Sequence, residues 1–166
     1  YVHGYNQSDT GTGSNLANFR SFTGETIPTS SNAYGIEFSW AVSKNFVVGG
    51  WGAYTNVKTL ASLNGLVPRG TQDIWNWAVT LAFPDLGKEG NLGGIIVGME
   101  PWVTDSDIGI FPNEDDDNSF HVEAFYQYKI NENIAVTPGL IWVTSPNSND
   151  NNDDLLIGVI RTTFSF

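Results

Sequence analysis

Two histidines and a run of carboxylates are the residues of this chain whose types could do chemistry. Acid–base catalysis and metal binding need such groups held together, for example as two histidines four residues apart with a carboxylate nearby. His3 and His121 are far apart in the sequence, and neither has a second histidine at that spacing. A solvated or hydrogen-bonded histidine is the simpler interpretation. The sequence therefore predicts no catalytic residue, no metal site and no cofactor, and a protein that is not an enzyme.

The acidic stretch DSDIGIFPNEDDD, residues 105–117, is the second candidate for chemistry. An EF-hand calcium loop needs a glycine at its sixth position, and Gly109 stands at the wrong spacing. A weak cation site is one interpretation, and a solvated acidic loop is the default for such a run. The motif GTGSN, residues 11–15, lacks the Lys-Ser/Thr pair of a phosphate-binding loop, so its glycines mark a loop.

The composition limits the class of protein. A length of 166 residues is one domain or part of a larger one. Only 15% of the residues are charged and 13% are aromatic, with 18 glycines, which favours an aromatic, glycine-spaced β protein. A net charge of -11 argues against nucleic acid as a partner, because phosphate binding needs clustered Lys and Arg. No cysteine is present, so no disulfide forms.

Period-two alternation of large and small residues is the main structural pattern, and it indicates β-strands. In residues 33–42, for example, Tyr34, Phe38 and Trp40 share one face, with small or polar residues on the other. Pro138 would remove one hydrogen-bond donor from its strand. About eight strands are predicted, over residues 1–5, 33–42, 45–55, 73–83, 91–100, 119–130, 134–144 and 156–166.

The connections between these strands alternate in length. Short turns are predicted at 43–45, 84–90 and 131–133, and long loops at 6–31, 56–72, 101–118 and 145–153. Tight turns on one side of a sheet and long loops on the other are typical of a bacterial outer-membrane β-barrel. The sequence thus predicts an all-β, transmembrane antiparallel barrel in the cell outer membrane, with lipid as a partner. Phe164 and Phe166 are predicted to form the aromatic signal that the barrel-assembly machinery recognises.

The barrel is expected to be wider than eight strands. The first strand is about half the needed length, and the face opposite the aromatics is rich in Gly, Ala, Ser and Thr, which would fill a closed eight-stranded barrel poorly. Residues 1–166 are therefore interpreted as the C-terminal part of a porin barrel, with its N-terminal part absent.

Charged residues on the small-residue side are predicted to face a water-filled lumen, because a lipid-facing Lys or Arg near the membrane midplane costs ~2–4 kcal/mol. The predicted lumen-facing residues are Glu37, Glu100, Glu123, Lys129 and Arg161. An acidic external mouth is predicted from Asp105, Asp107, Glu114, Asp115, Asp116, Asp117, Asp150, Asp153 and Asp154. Such a mouth should favour cations. The loop that constricts a porin is expected in the earlier, absent half.

Four segments carry a resemblance to a known family. They are NAYGIEFSWAVSKNFVVGGWGAYTN (32–56), IWNWAVTLAFPDLGKEGNLGGIIVGMEP (74–101), VEAFYQYKINENIAVTPGLIWVTSPN (122–147) and NNDDLLIGVIRTTFSF (151–166). They resemble the cyanobacterial iron-uptake porins of the OprB-type carbohydrate-selective porin superfamily. The resemblance implies a sixteen-stranded barrel that passes inorganic ions, including iron species, with carbohydrates as the alternative. It also implies a homotrimer, and an absent N-terminal S-layer-homology domain that binds peptidoglycan or the cell wall.

Two other classes of protein stay open on the sequence. One is a closed eight-stranded barrel with a structural or adhesive role, which would show the same loop alternation without conducting. The other is a soluble β-sandwich that binds carbohydrate. Detergent-free solubility would identify the sandwich, and conductance would separate the porin from the closed barrel.

Overall fold

The computed structural model describes residues 1–6, 11–19, 27–60, 65 and 67–166. They form an 8-stranded sheet in which each strand pairs antiparallel with its sequence neighbours, in the order β1 to β8. The strands are β1 Val2–Tyr5, β2 Thr29–Ser43, β3 Phe46–Thr59, β4 Thr71–Pro84, β5 Leu92–Ser106, β6 Phe120–Asn131, β7 Ile134–Val143 and β8 Leu155–Phe164. The predicted all-β, antiparallel fold is confirmed. Within the described residues β8 does not pair with β1, so the sheet is open.

The connections alternate as predicted, although β2, β3, β4 and β5 are longer than predicted. Residues 44–45, 85–91 and 132–133 are short turns, and residues 6–28, 60–70, 107–119 and 144–154 are long connections. Asp105, which the sequence places in a loop, lies instead in β5, opposite Asp73 of β4. Polar residues there continue the hydrogen-bond ladder beyond the point where hydrophobic alternation ends. No helix in the described part of the chain is long and apolar enough to cross a membrane.

One face of the sheet, the aromatic face, carries two rows of rings. At the loop end, Tyr34, Tyr54, Trp75 and Trp102 are successive cross-strand partners on β2 to β5. At the turn end, the rings of Phe46 and Phe83 stack with centroids 5.4 Å apart. Trp75 and Phe83 stand eight residues apart on β4, roughly 27 Å along an antiparallel strand. At a strand tilt of roughly 40° this spacing projects to about 21 Å along the membrane normal, comparable with an apolar band about 25 Å tall between two aromatic girdles.

The opposite face, the small-residue face, follows from the same register. Cross-strand partners there include Gly35 with Ala53, and Gly49 with Thr80. The buried hydrophobic cluster lies near the loop end of this face and comprises Leu16, Ile27, Val57, Val67, Ile74, Val103, Ile108 and Phe111. The aromatic face has no comparable cluster among the described residues: on that face Ile36 is 79% exposed and Ile160 is 77% exposed.

Candidate functional site on the small-residue face

Residues 11–19, the inward segment, lie in the connection between β1 and β2 and contact distant strands and loops. The Ser14 amide donates to the Pro101 carbonyl at 3.0 Å. The Asn15 amide donates to Oδ1 of Asn147 at 2.7 Å, and the Gly13 amide donates to Oε2 of Glu100 at 3.2 Å. Gly13 has a φ of +83°, a left-handed conformation that favours glycine and brings the backbone close to Pro101. The chain therefore crosses the sheet from β2 towards β5 and the β7–β8 connection.

Hydrophobic contacts hold the same segment against the wall. Leu16 is buried with Val57 and Ile74, which belong to the small-residue face. The side-chain amide of Gln72, on that face of β4, donates to the Leu16 carbonyl at 3.0 Å. The Phe19 and Phe111 rings lie 5.6 Å apart. The sequence analysis expects the constricting loop in the earlier half of the barrel. The inward segment, which belongs to this part of the chain, also folds onto the small-residue face.

Asp115 fixes the inward segment from the β5–β6 connection. Its Oδ2 accepts a hydrogen bond from the Ser14 hydroxyl at 2.6 Å and another from the Val103 amide at 2.7 Å. Burial raises the pKa of the Asp115 carboxyl, with neighbouring Asp116 adding to the effect, against the lowering influence of the two hydrogen bonds. The sequence-predicted acidic mouth thus contains one carboxyl group that is partly buried and structural.

Asp117, two residues further on, has the opposite electrostatic environment. Hydrogen bonds from the Asn118 amide and from the Ser145 hydroxyl lower the pKa of its carboxyl. The Ser145 bond, 2.9 Å long, links the β5–β6 connection to the β7–β8 connection. Of the other predicted mouth residues, Asp154 accepts a hydrogen bond from the Trp142 indole N–H at 3.0 Å, and the others are exposed: Asp105, Asp107, Glu114, Asp116, Asp150 and Asp153.

Two of the predicted lumen-facing carboxylates meet at His121, beside the inward segment. His121 Nδ1 lies 3.4 Å from Glu100 Oε1, and its Nε2 lies 3.5 Å from Glu123 Oε2. Glu100 comes within reach because Gly98, two residues before it in β5, is the cross-strand partner of His121. Within the described residues no group of three His, Asp or Glu side chains has a metal-binding arrangement.

His121 belongs to a cross-strand row that crosses the small-residue face. Glu37 is the partner of Trp51, which is the partner of Ala78, followed by Gly98 and then His121. The Trp51 indole N–H donates to Oδ1 of Asn76 at 3.1 Å. We call this row, together with Asn76, Glu100 and Glu123, the belt. The belt lies next to the inward segment, since the Gly13 amide donates a hydrogen bond to Oε2 of Glu100.

The remaining predicted residues lie apart from the belt. Lys129 is towards the turn end and forms an ion pair with Glu132 at 3.4 Å. Arg161 is the partner of Thr137 on the small-residue face. Phe164 is the last residue of β8, and Phe166 lies beyond the strand and is fully exposed. Their functional roles stay predictions.

Trp51 is the belt residue that sequence reasoning missed. Glycines at 49, 50 and 52 interrupt the alternation of β3, so its face cannot be read from β3 alone. The pairing with Glu37 does identify the face, because directly opposed residues of an antiparallel pair point to the same side.

Comparisons with known proteins agree with this architecture. The sequence profile of the carbohydrate-selective porin, OprB family, matches residues 1–166. An uncharacterized protein of Nostoc sp. is 36% identical over 177 residues, covering 100% of this chain and 28% of that protein. An uncharacterized protein of Synechocystis sp. is 37% identical over 168 residues, covering 94% of this chain and 30% of that protein. The chain thus spans less than a third of these curated relatives. No solved structure shows significant similarity.

Proposed function

Because this chain belongs to the carbohydrate-selective porin, OprB family, we propose that it contributes one wall of a passive outer-membrane channel for small carbohydrates. The observation that carries the proposal is the family match over the whole chain, residues 1–166. The carbohydrate alternative drawn from the sequence is thereby better supported than the ion channel that was its main interpretation.

The two faces of the sheet support a channel. The aromatic face has large exposed side chains between two rows of rings, as expected for a wall in contact with lipid. The small-residue face carries the belt and leaves room for water. A solute would move along this face by diffusion, with hydrogen bonds to wall side chains replacing part of its hydration shell. No bond is made or broken.

The inward segment gives this channel a narrow mouth. It is anchored to Asp115, Glu100 and Asn147, so it projects over the small-residue face at the loop end. In this proposal the solute passes the inward segment and then the belt. The β5–β6 and β7–β8 connections border the same entrance.

Inorganic ions are the second candidate solute, and the carboxylates favour them. Glu100 and Glu123 flank His121, and exposed carboxylates surround the mouth, so the local potential should attract cations. The specific transport of iron stays a prediction, because both relatives are uncharacterized. The homotrimer, the barrel-assembly machinery and the attachment to the cell wall also stay predictions.

Liposome swelling tests the channel directly. The full-length protein is reconstituted into liposomes, which are diluted into isotonic glucose, sucrose or raffinose, with empty liposomes as the control. We expect swelling that is fastest with glucose and slows as the sugar grows. Ionic conductance across planar bilayers without sugar-dependent swelling would support the ion channel instead. An absence of both would contradict the channel itself.

A further inference from the structure

A cavity of about 170 Å³ lies at the loop end, where the inward segment meets the β5–β6 and β7–β8 connections. Its wall includes Asp115 and Asp116 from the first connection and Ser148 from the second. We propose that this cavity is a calcium site, and that the ion ties the inward segment to both connections. The inference is independent of the solute that passes the mouth.

The Ser148 hydroxyl is the observation that points to a ligand. Ser148 is 2% exposed and lines the cavity, and its Oγ has no hydrogen-bond partner among the described residues. Its carbonyl, by contrast, accepts a hydrogen bond from the Asp117 amide at 2.9 Å. Buried hydroxyl groups in native proteins are normally paired with protein, water or an ion. The Ser148 oxygen is therefore available to an occupant of the cavity.

Two neighbouring carboxylates supply the charge that a divalent ion requires. Asp115 accepts hydrogen bonds from the Ser14 hydroxyl and the Val103 amide, and both end on Oδ2, so Oδ1 accepts neither. Burial, and then the charge of Asp116, raise the pKa of the Asp115 carboxyl. None of the described residues around the cavity is basic. A cation bound there would offset this repulsion and favour the ionised form of both carboxyl groups.

The mixture of oxygen ligands favours calcium over other metals. Among the described residues no three His, Asp or Glu side chains form a metal-binding arrangement, so neutral oxygens have to complete the ligand set. Asn15, Asn149 and Ser148 line the cavity and offer amide, hydroxyl and backbone oxygens. Calcium accepts about six to eight oxygen ligands of mixed kinds in a flexible geometry. Magnesium demands a near-ideal octahedron, and zinc prefers nitrogen and sulfur.

Ordered water is the alternative occupant of the cavity. Water would pair with the Ser148 hydroxyl but would leave the charges of Asp115 and Asp116 uncompensated. The calcium affinity should be modest, because Asp116 and Glu114 are exposed to solvent. We expect a Kd of about 10⁻⁴–10⁻³ M, the range of extracellular calcium modules.

The experiment titrates calcium into the full-length protein in detergent, after removal of metal by a chelator, and follows hydrogen exchange at the Ser14 amide. An ion that binds only the docked inward segment should slow this exchange about tenfold at a calcium concentration ten times its Kd. Magnesium is the matched ion and should have a smaller effect at the same concentration. Equal effects of the two ions would indicate screening of the mouth charges and would overturn the site.

Ser148→Ala separates a metal ligand from a hydroxyl that is merely buried. Because the hydroxyl has no partner, its removal should leave docking unchanged without calcium, but it should weaken the calcium affinity about tenfold. Asp116→Asn should weaken it as well. Asp153→Asn is the matched control, because Asp153 is exposed on the same connection as Ser148 and does not line the cavity. It should leave the calcium response unchanged.

An unchanged calcium response in Ser148→Ala would overturn the site, and so would a wild type whose Ser14 exchange does not respond to calcium. A loss of response in Asp153→Asn equal to that in Asp116→Asn would also overturn it, because the effect would then come from the total charge of the mouth.

Discussion

The loop ends and the turn ends of the same strands are stabilised in different ways. At the loop end, the inward segment packs into a buried hydrophobic cluster and is fixed by the partly buried Asp115. At the turn end, asparagine side chains join one turn to the next: the Asn45 amide donates to the Pro84 carbonyl at 3.1 Å, and the Asn133 amide to the Ser165 carbonyl at 2.6 Å. The first arrangement has a small core of its own, and the second is a series of local hydrogen bonds.

This difference assigns separate tasks to the two ends. In the proposed channel, displacement of this packed loop would change the width of the opening. Hydrogen bonds between consecutive turns fix the register of the strands, because each links a turn to the strand beside it. Changes at the loop end should therefore alter passage, whereas changes at the turn end should alter stability.

The largest effect is expected from Leu16→Ala. Leu16 is 5% exposed in the cluster, and removal of a buried leucine side chain costs about 2–5 kcal/mol. The inward segment should then leave the wall, and the amide of Ser14 should lose its protection in hydrogen exchange. Leu86→Ala, at a turn residue that is 46% exposed, is the control and should change little. Unchanged protection in Leu16→Ala would show that the polar anchors alone hold the segment.

Asp115 should give the next largest effect, and the effect depends on the replacement. Asp115→Ala removes the acceptor of two hydrogen bonds and should cost about 1–3 kcal/mol of docking free energy. Asp115→Asn keeps an acceptor oxygen and removes the buried charge, so docking should be retained. Single-channel conductance should increase in the first variant and not in the second. Equal conductance in the two variants would contradict the role of Asp115 in holding the inward segment.

Docking of the inward segment should also depend on pH through Asp115. Because burial raises the pKa of this carboxyl, the docked state binds a proton more tightly than the undocked state. Docking should be strongest at a pH below the ordinary aspartate value of about 4 and weaken as the pH rises through the raised pKa. Hydrogen exchange at Ser14, corrected for its intrinsic pH dependence, measures this. Asp115→Asn should abolish the slope, and a slope that persists would exclude Asp115 as its source.

A smaller effect is expected at the turn end from Asn91→Ala. Asn91 is 3% exposed, accepts a hydrogen bond from the Lys129 amide and donates one to the Tyr126 hydroxyl. Its loss should lower the free energy of unfolding by about 1–2 kcal/mol, seen as a lower urea midpoint in detergent, with unchanged conductance. Asn151→Ala, at an exposed residue, serves as the control. Altered conductance in Asn91→Ala would contradict the assignment of stability, and not passage, to the turn end.

The smallest effect should follow neutralisation of one exposed mouth carboxylate. Asp116→Asn should shift the reversal potential slightly towards anions in dilute salt, and the shift should vanish in concentrated salt because counterions screen exposed charges. Asp115→Asn, at the partly buried carboxyl beside it, should shift the potential less. A larger shift from Asp115 than from Asp116 would reverse the assignment of the structural and the solvated carboxylate.

The sequence predicted the parts of this molecule that depend on local alternation. The strands, the side of each long loop and the placement of Arg161 on the small-residue face all follow from period-two patterns and turn lengths. Alternation placed Asp105 in a loop because the last residues of β5 are polar and do not continue the pattern of large and small side chains. The docking of the inward segment and the approach of Glu100 to His121 depend on contacts between residues far apart in sequence. Such contacts produce no periodic pattern in the sequence from which they could be predicted.

The nearest-neighbour order of the strands has a consequence for how such a wall can change in evolution. Each strand pairs only with its sequence neighbours, so the gain or loss of one hairpin would preserve the direction of every other strand and the end of the sheet at which each long loop lies. Barrel diameter grows roughly in proportion to strand number. The addition of one hairpin, two strands with their connections, would therefore widen such a barrel without reversing any other strand.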